Sequence, residues 1–137
     1  MIAVDTGPLV ALCDGRDRRH RAALAHLARL APAGLRTCDA VLTEACFHLP
    51  QATQRERLSA IVRELAIESL PTHDMGFRAD VFDWLRKYQD HEPDWADACL
   101  VVLSARHPGL KVWTYDREFQ TTWRRPDGKA ITLAVRP

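Results

Sequence analysis

The chain contains no C-x-x-C pair, although it carries four cysteines, Cys13, Cys38, Cys46 and Cys99. With three of them inside apolar stretches, this argues against a zinc site and a disulfide frame. Free cysteines in such settings behave as small buried hydrophobes. Cys46 and His48 form the one cysteine–histidine neighbourhood, a weak basis for nucleophilic chemistry. Lysine is also scarce: of 19 basic residues only Lys87, Lys111 and Lys129 are lysine. The arginine excess favours bidentate phosphate contact, although a GC-rich genome produces the same bias. No apolar run approaches the roughly 18 residues that a membrane span requires. The start Met1-Ile2-Ala3-Val4-Asp5 has no basic leader, so no signal peptide and a cytoplasmic location are expected. Neither charge sign dominates, at 19 basic against 18 acidic residues, so overall charge neither demands nor excludes a nucleic-acid partner.

The rest of the composition is that of an ordinary globule. Hydrophobic residues make up 47% and charged residues 27% of 137 residues. That length predicts one domain over residues 1–137, large enough to bury a core without staples. Strand and helix signals alternate along it. Ile2–Val4 reads as a buried strand, with Thr6 as N-cap and Pro8 early in a helix through Cys13. Helical spacing covers 18–31, 39–48, 54–65, 74–88 and 94–106, with a short helix over 116–122. Further strands are expected at Leu35–Cys38, Ala66–Leu70, Lys111–Tyr115 and Ala130–Val135. The pattern predicts an α/β fold, a mostly parallel central sheet of about five strands flanked by helices in three layers.

In such a sheet, ligands bind beyond the carboxyl ends of the strands. Asp5 and Asp116 stand at two of those ends. Glu44 lies in the first two turns of its helix at the margin of the apolar stripe. Asp94 and Asp97, three apart, open another helix on one face. Each has a plainer role available: Asp94 reads equally as a helix cap, and Asp97 as a dipole partner. Together, Asp5, Glu44, Asp97 and Asp116 would converge and repel one another. A divalent cation relieves that repulsion, and oxygen-only donors point to Mg2+ or Mn2+ rather than zinc. The histidines are scattered and read as surface or packing residues. Trp84 and Trp113 read as core. Trp95, beside the acids, and Trp123, beside Arg124, are the candidates for stacking on bases.

Four segments appear in order: Val4-Asp5-Thr6-Gly7-Pro8-Leu9, Leu42-Thr43-Glu44-Ala45, Ala96-Asp97-Ala98-Cys99-Leu100 and Thr114-Tyr115-Asp116-Arg117-Glu118-Phe119. In this order they resemble the PIN domain ribonucleases, especially the VapC-like toxins of bacterial toxin–antitoxin pairs. The resemblance spans nearly the whole chain. It implies Mg2+- or Mn2+-dependent hydrolysis of RNA by the catalytic quartet Asp5, Glu44, Asp97 and Asp116. Asp5, Asp97 and Asp116 would hold the metal. Glu44 and Asp94 would join through water, though Asp94 departs from the common pattern and still reads as a cap.

Thr6, Thr114, Arg117, Arg124 and Arg125 would contact phosphate, the threonines alternatively orienting a carboxylate. The implied partners are single-stranded or loop RNA such as tRNA or mRNA, a second copy in a homodimer, and a small antitoxin, with no membrane. Helices 54–65 and 73–88 are candidate surfaces for the protein partners. The rival readings are a silent RNA- or partner-binding module of the same fold, or a metal-dependent DNA nuclease or phosphatase. Asp5-Thr6-Gly7 lacks the second acid of an Asp-x-Asp phosphatase motif.

Overall fold

The computed structural model describes residues 1–137. In chain order the elements are β1 (Ile2–Val4), α1 (Thr6–Cys13), α2 (His20–Leu30), β2 (Leu35–Thr37), α3 (Asp39–His48), α4 (Ala52–Glu64), β3 (Glu68–Ser69), α5 (Met75–Lys87), α6 (Trp95–Arg106), β4 (Lys111–Trp113) and α7 (Glu118–Thr121). Single 3-10 turns follow α2 at Ala31–Ala33 and α5 at Gln89–His91. The four strands pair in the order β3-β2-β1-β4, every pair parallel. The fold is therefore α/β with helices flanking a parallel sheet, as expected. No helix is long and apolar enough to cross a membrane.

The central strand β1 is buried at all three positions, which is how a strand covered on both faces reads. From β1 the chain steps outward to β2 and β3, then returns to the far side of β1 for β4. The order thus reverses between β1 and β4, and the crevice beyond their carboxyl ends is where such sheets bind ligands. Asp5 and Asp116 follow those two strands. Helix α6 supplies much of the core, its residues Ala98 to Ser104 all being buried. It packs against α5, α3 and β4. Such an apolar helix meets solvent only at its ends, at Trp95 in the first turn and at Ala105 and Arg106 in the last.

Some expectations need correction. The segment Ala130–Val135 is not a fifth strand but makes one bridge, Val112 to Leu133. In a parallel ladder, alternate residues face alternate neighbours. The Lys111 N–H and the Trp113 carbonyl already bond Met1 and Asp5 on the β1 side. Only Val112 faces outward, donating to Thr132 and accepting from Ala134, both at 2.8 Å. The expected strand Ala66–Leu70 shrinks to Glu68–Ser69. Ala66 has φ 47° and ends α4 in a Schellman motif: its N–H reaches the Arg63 carbonyl, and Ile67 N–H reaches Val62. A residue so placed cannot begin a strand. Asp5, not Thr6, caps α1, accepting from Thr6 N–H at 2.7 Å. Trp123 is fully buried, its ring 5.3 Å from that of Trp84 and 5.6 Å from that of Tyr88. It is core and cannot stack on a base. Trp84 and Trp113 are core as expected, and the four cysteines are free.

Candidate active site

Each acid owes its place to a local feature. Asp5 leaves β1 with φ −84° and ψ 171°, an extended conformation that turns its carboxylate back over the start of α1. One oxygen accepts from Thr6 N–H at 2.7 Å, the other from the Thr114 hydroxyl at 2.6 Å. Thr114 Oγ1 in turn accepts from Asp116 N–H at 2.9 Å. The Thr6 hydroxyl donates to Glu44 Oε2 at 2.6 Å. A continuous chain of hydrogen bonds thus runs Asp116–Thr114–Asp5–Thr6–Glu44, tying the ends of β1 and β4 to the middle of α3. Asp116 also accepts from Glu118 N–H at 2.9 Å, which opens α7.

Asp94 and Asp97 form a capping box at the start of α6. Asp94 Oδ1 accepts from Asp97 N–H at 2.8 Å, and Asp97 Oδ2 accepts from Asp94 N–H at 3.4 Å. Asp94 is therefore a cap, and it also lines the cleft where Asp5, Glu44, Asp97 and Asp116 meet. That cleft has a volume of about 550 Å³. All four acids of the predicted quartet are brought together there.

The electrostatics are unfavourable to the acids as they stand. Burial pushes Asp5 up to about 6, against the pull of Thr114 and Thr6, with Glu44 and Asp94 adding to the rise. Asp97 is pushed up to about 8, first by burial and then by the charges of Asp94, Asp5 and Asp116. Glu44 is also raised, by burial first and then by the adjacent Asp94, while the Thr6 hydroxyl opposes the shift. Desolvated carboxylates facing one another hold protons to which each would otherwise have little claim.

The donor set fits a hard divalent cation, being oxygen throughout and strongly negative. No three of the carboxylates converge tightly enough to cage an ion as they are arranged. Glu44, Asp97 and Asp116 each commit one oxygen to a hydroxyl or backbone N–H, whereas Asp5 commits both.

The other predicted residues divide. Thr6 lines the cleft, but its hydroxyl is committed to Glu44. Thr114 is wholly buried behind Asp5. Both orient carboxylates, and their hydroxyls are not presented to phosphate. Arg117 is exposed and does not line the cleft. Arg124 folds back on the carbonyls of Trp123 and Gln120 at 2.7 and 3.4 Å. Arg125 reaches Ser104 Oγ at 3.3 Å. Ser104 lies seven residues beyond Asp97, about two turns or ~10 Å down α6, which puts Arg125 away from the acids.

The cations at the cleft are instead Arg18 and Arg19, from the loop before α2. Arg19 lies over the Tyr115 ring at 4.7 Å, and Tyr115 Oη meets His26 Nδ1 at 2.8 Å. The run Arg16–Arg21 is conspicuous in the sequence, but nothing in it says which end of the sheet it will reach. Tyr115 and His48 also line the cleft without a sequence signal beyond their proximity to Asp116 and Glu44.

A family model of the PIN domain matches residues 2–123. Among solved structures the chain is similar to the crystal structure of Mycobacterium tuberculosis VapC20, described as a sarcin-ricin loop cleaving toxin. That match has a TM-score of 0.76 and 21% sequence identity and covers 100% of both chains, a likeness of fold. A comparison with curated proteins gave no match.

Proposed function

The chain belongs to the PIN domain family, and from that premise we propose that it is a metal-dependent endoribonuclease, the toxin of a toxin–antitoxin pair. The observation that carries this reading is the cleft at the reversal of strand order, where Asp5, Glu44, Asp94, Asp97 and Asp116 face Arg18 and Arg19. Acids flanked by guanidinium groups suit a phosphodiester: the arginines hold the anion that the acids alone would repel.

Asp5, Asp97 and Asp116 would hold a Mg2+ or Mn2+ ion, with Glu44 and Asp94 joining through water. When bound, such an ion neutralises the carboxylates, polarises the scissile phosphate and lowers the pKa of an attacking water. The chain's own part is positional. Thr114 fixes Asp5, and Thr6 fixes Glu44 at the side of the cleft. Thr114 also fixes the backbone from which Asp116 projects. Arg18 and Arg19 bind flanking phosphates, a salt-dependent and sequence-blind contribution.

Residues 1–137 act as one domain, in the cytoplasm. The partners are single-stranded or loop RNA, a second copy of the chain, and a small antitoxin that blocks the cleft. An exposed RNA loop is the first substrate to try, since the similar VapC20 is described as cleaving the sarcin-ricin loop. The test is cleavage of total cellular RNA with Mg2+ or Mn2+, against chelator and against Asp5→Asn. Cleavage by wild type with metal alone is expected. Equal cleavage by a folded Asp5→Asn variant would overturn the assignment.

A further inference from the structure

A second depression, of about 740 Å³, opens directly from the acid cleft. The two share Glu44, His48 and Asp94 as common walls. Two aromatic rings flank the groove where it leaves the acids. Phe47 sits on α3 one turn beyond Glu44 and is 82% exposed. Trp95 follows Asp94 at the start of α6 and is 38% exposed. Trp95 is braced from behind by Phe82, centroid to centroid 5.0 Å at 66°. Phe82 is itself 58% exposed, so the two rings form one exposed aromatic pair at the groove.

At the groove's wall stands Arg78, from α5, with His73. Arg78, like Arg18 across the acid cleft, takes part in none of the chain's ion pairs. Uncommitted guanidinium groups thus line both depressions, with the acids and then the exposed rings between them. Only Ala40, Phe47, Trp95 and Ala96 of the groove's lining are apolar; Arg78 is its one guanidinium, beside the carboxylates Asp39, Glu44 and Asp94. That mixture fits a base and its phosphate better than the continuous apolar face of a docking helix.

We propose that this groove is a nucleotide subsite, in which unpaired RNA continuing from the acid cleft stacks a base against Trp95 and Phe47 and places a phosphate on Arg78. The subsite rests on the nuclease reading and assigns it a substrate class: RNA unpaired for at least one nucleotide beside the cut. A duplex cannot present a free base face to these rings, so paired RNA is excluded from the groove.

The test measures binding of a short unpaired oligoribonucleotide to protein carrying Asp97→Asn, which keeps the substrate uncut. Stacking on an aromatic contributes about 1–3 kcal/mol per base, so Trp95→Leu should weaken binding by about 5- to 150-fold. Trp95→Phe, which keeps a ring, should stay near the parent. Leucine preserves apolar surface, so this pair separates stacking from greasy contact. Trp84, Trp113 and Trp123 are buried, so RNA should quench the fluorescence of Trp95, and Trp95→Phe should abolish that quenching. Arg78→Ala should lower affinity and flatten its salt dependence.

In a background with Asp97 intact, Trp95→Leu and Phe47→Ala variants that cleave unpaired RNA as wild type does would overturn the subsite while leaving the nuclease standing. Loss of self-association by light scattering in those variants, with RNA affinity unchanged, would assign the groove to a second copy and likewise overturn it. A wild-type protein that neither binds nor cuts RNA would overturn the nuclease reading itself.

Discussion

Replacing Asp97 by asparagine should make the metal-free protein more stable, because the folded chain holds this carboxyl where ionisation is disfavoured. Asp97 keeps its proton up to about pH 8 in the folded chain, for burial and the neighbouring Asp94, Asp5 and Asp116 all oppose its charge. In the unfolded chain an aspartate ionises near 3.9. Between those values the folded state binds more protons than the unfolded one, so stability falls as pH rises through the window and is greatest at its acid end. At 1.36 kcal/mol per unit the ceiling is about 6 kcal/mol. Asp97 is only half-buried beside an open cleft, so solvent screening brings the expected difference to about 2 kcal/mol.

At about 4 °C per kcal/mol for a chain of this size, that is a Tm shift of about 8 °C. The assay is thermal unfolding in chelator at pH 5, 6 and 8. Wild type should lose stability from pH 5 to 8. Asp97→Asn should lose little between pH 6 and 8, since the corresponding window of Asp5 closes near its own value of about 6. Adding Mn2+ at pH 8 should restore wild type and do little for the variant. An Asp97→Asn protein less stable than wild type at pH 8 in chelator would refute the reasoning.

Thr114→Val removes a buried hydroxyl that both donates to Asp5 and accepts from Asp116 N–H. It should cost about 1–3 kcal/mol in denaturant unfolding and at least tenfold in single-turnover cleavage, with Thr114→Ser keeping most of both. Ala66→Gly relieves a left-handed residue at φ 47° in the Schellman motif and should raise the unfolding free energy in denaturant by up to about 1 kcal/mol; a lowered one would contradict the motif. Arg18→Ala should weaken RNA binding and reduce the slope of log K against log salt by about 0.7, one phosphate's worth for a single strand. Arg125→Ala, whose side chain reaches Ser104, should leave that slope unchanged.

The legible part of this protein is the part dictated by short-range rules. Ile2-Ala3-Val4 before Asp5 and Lys111-Val112-Trp113 before Asp116 announce buried strands ending in carboxylates. A parallel sheet then leaves those carboxylates little choice but to meet. Pro93-Asp94 with Asp97 announces a capped helix, and the two capping residues also line the acid cleft. The less legible part depends on tertiary placement. Arg18 and Arg19 enter the cleft because α2 packs on α1, which no local pattern in the arginine run encodes. Arg124 and Arg125 lie near Asp116 in sequence, yet Arg124 folds back on the carbonyls of Trp123 and Gln120, and Arg125 reaches Ser104 in the far half of α6. Trp123 beside Arg124 looks like a surface aromatic until Trp84 and Tyr88 are seen to enclose it. The last apolar segment alternates as a strand should, but β4 offers it a single outward residue.

Whether the cleft is built for a divalent cation is tested most directly by titrating Mn2+ into wild type and Asp97→Asn at pH 7 by calorimetry, in two buffers of different ionisation heat. Wild type should bind the ion and release close to one proton, because Asp97 must surrender the one it holds at that pH. Asp97→Asn should bind more weakly and release almost none. No binding by wild type, or identical binding and proton release by both proteins, would contradict the assignment of these carboxylates to a metal.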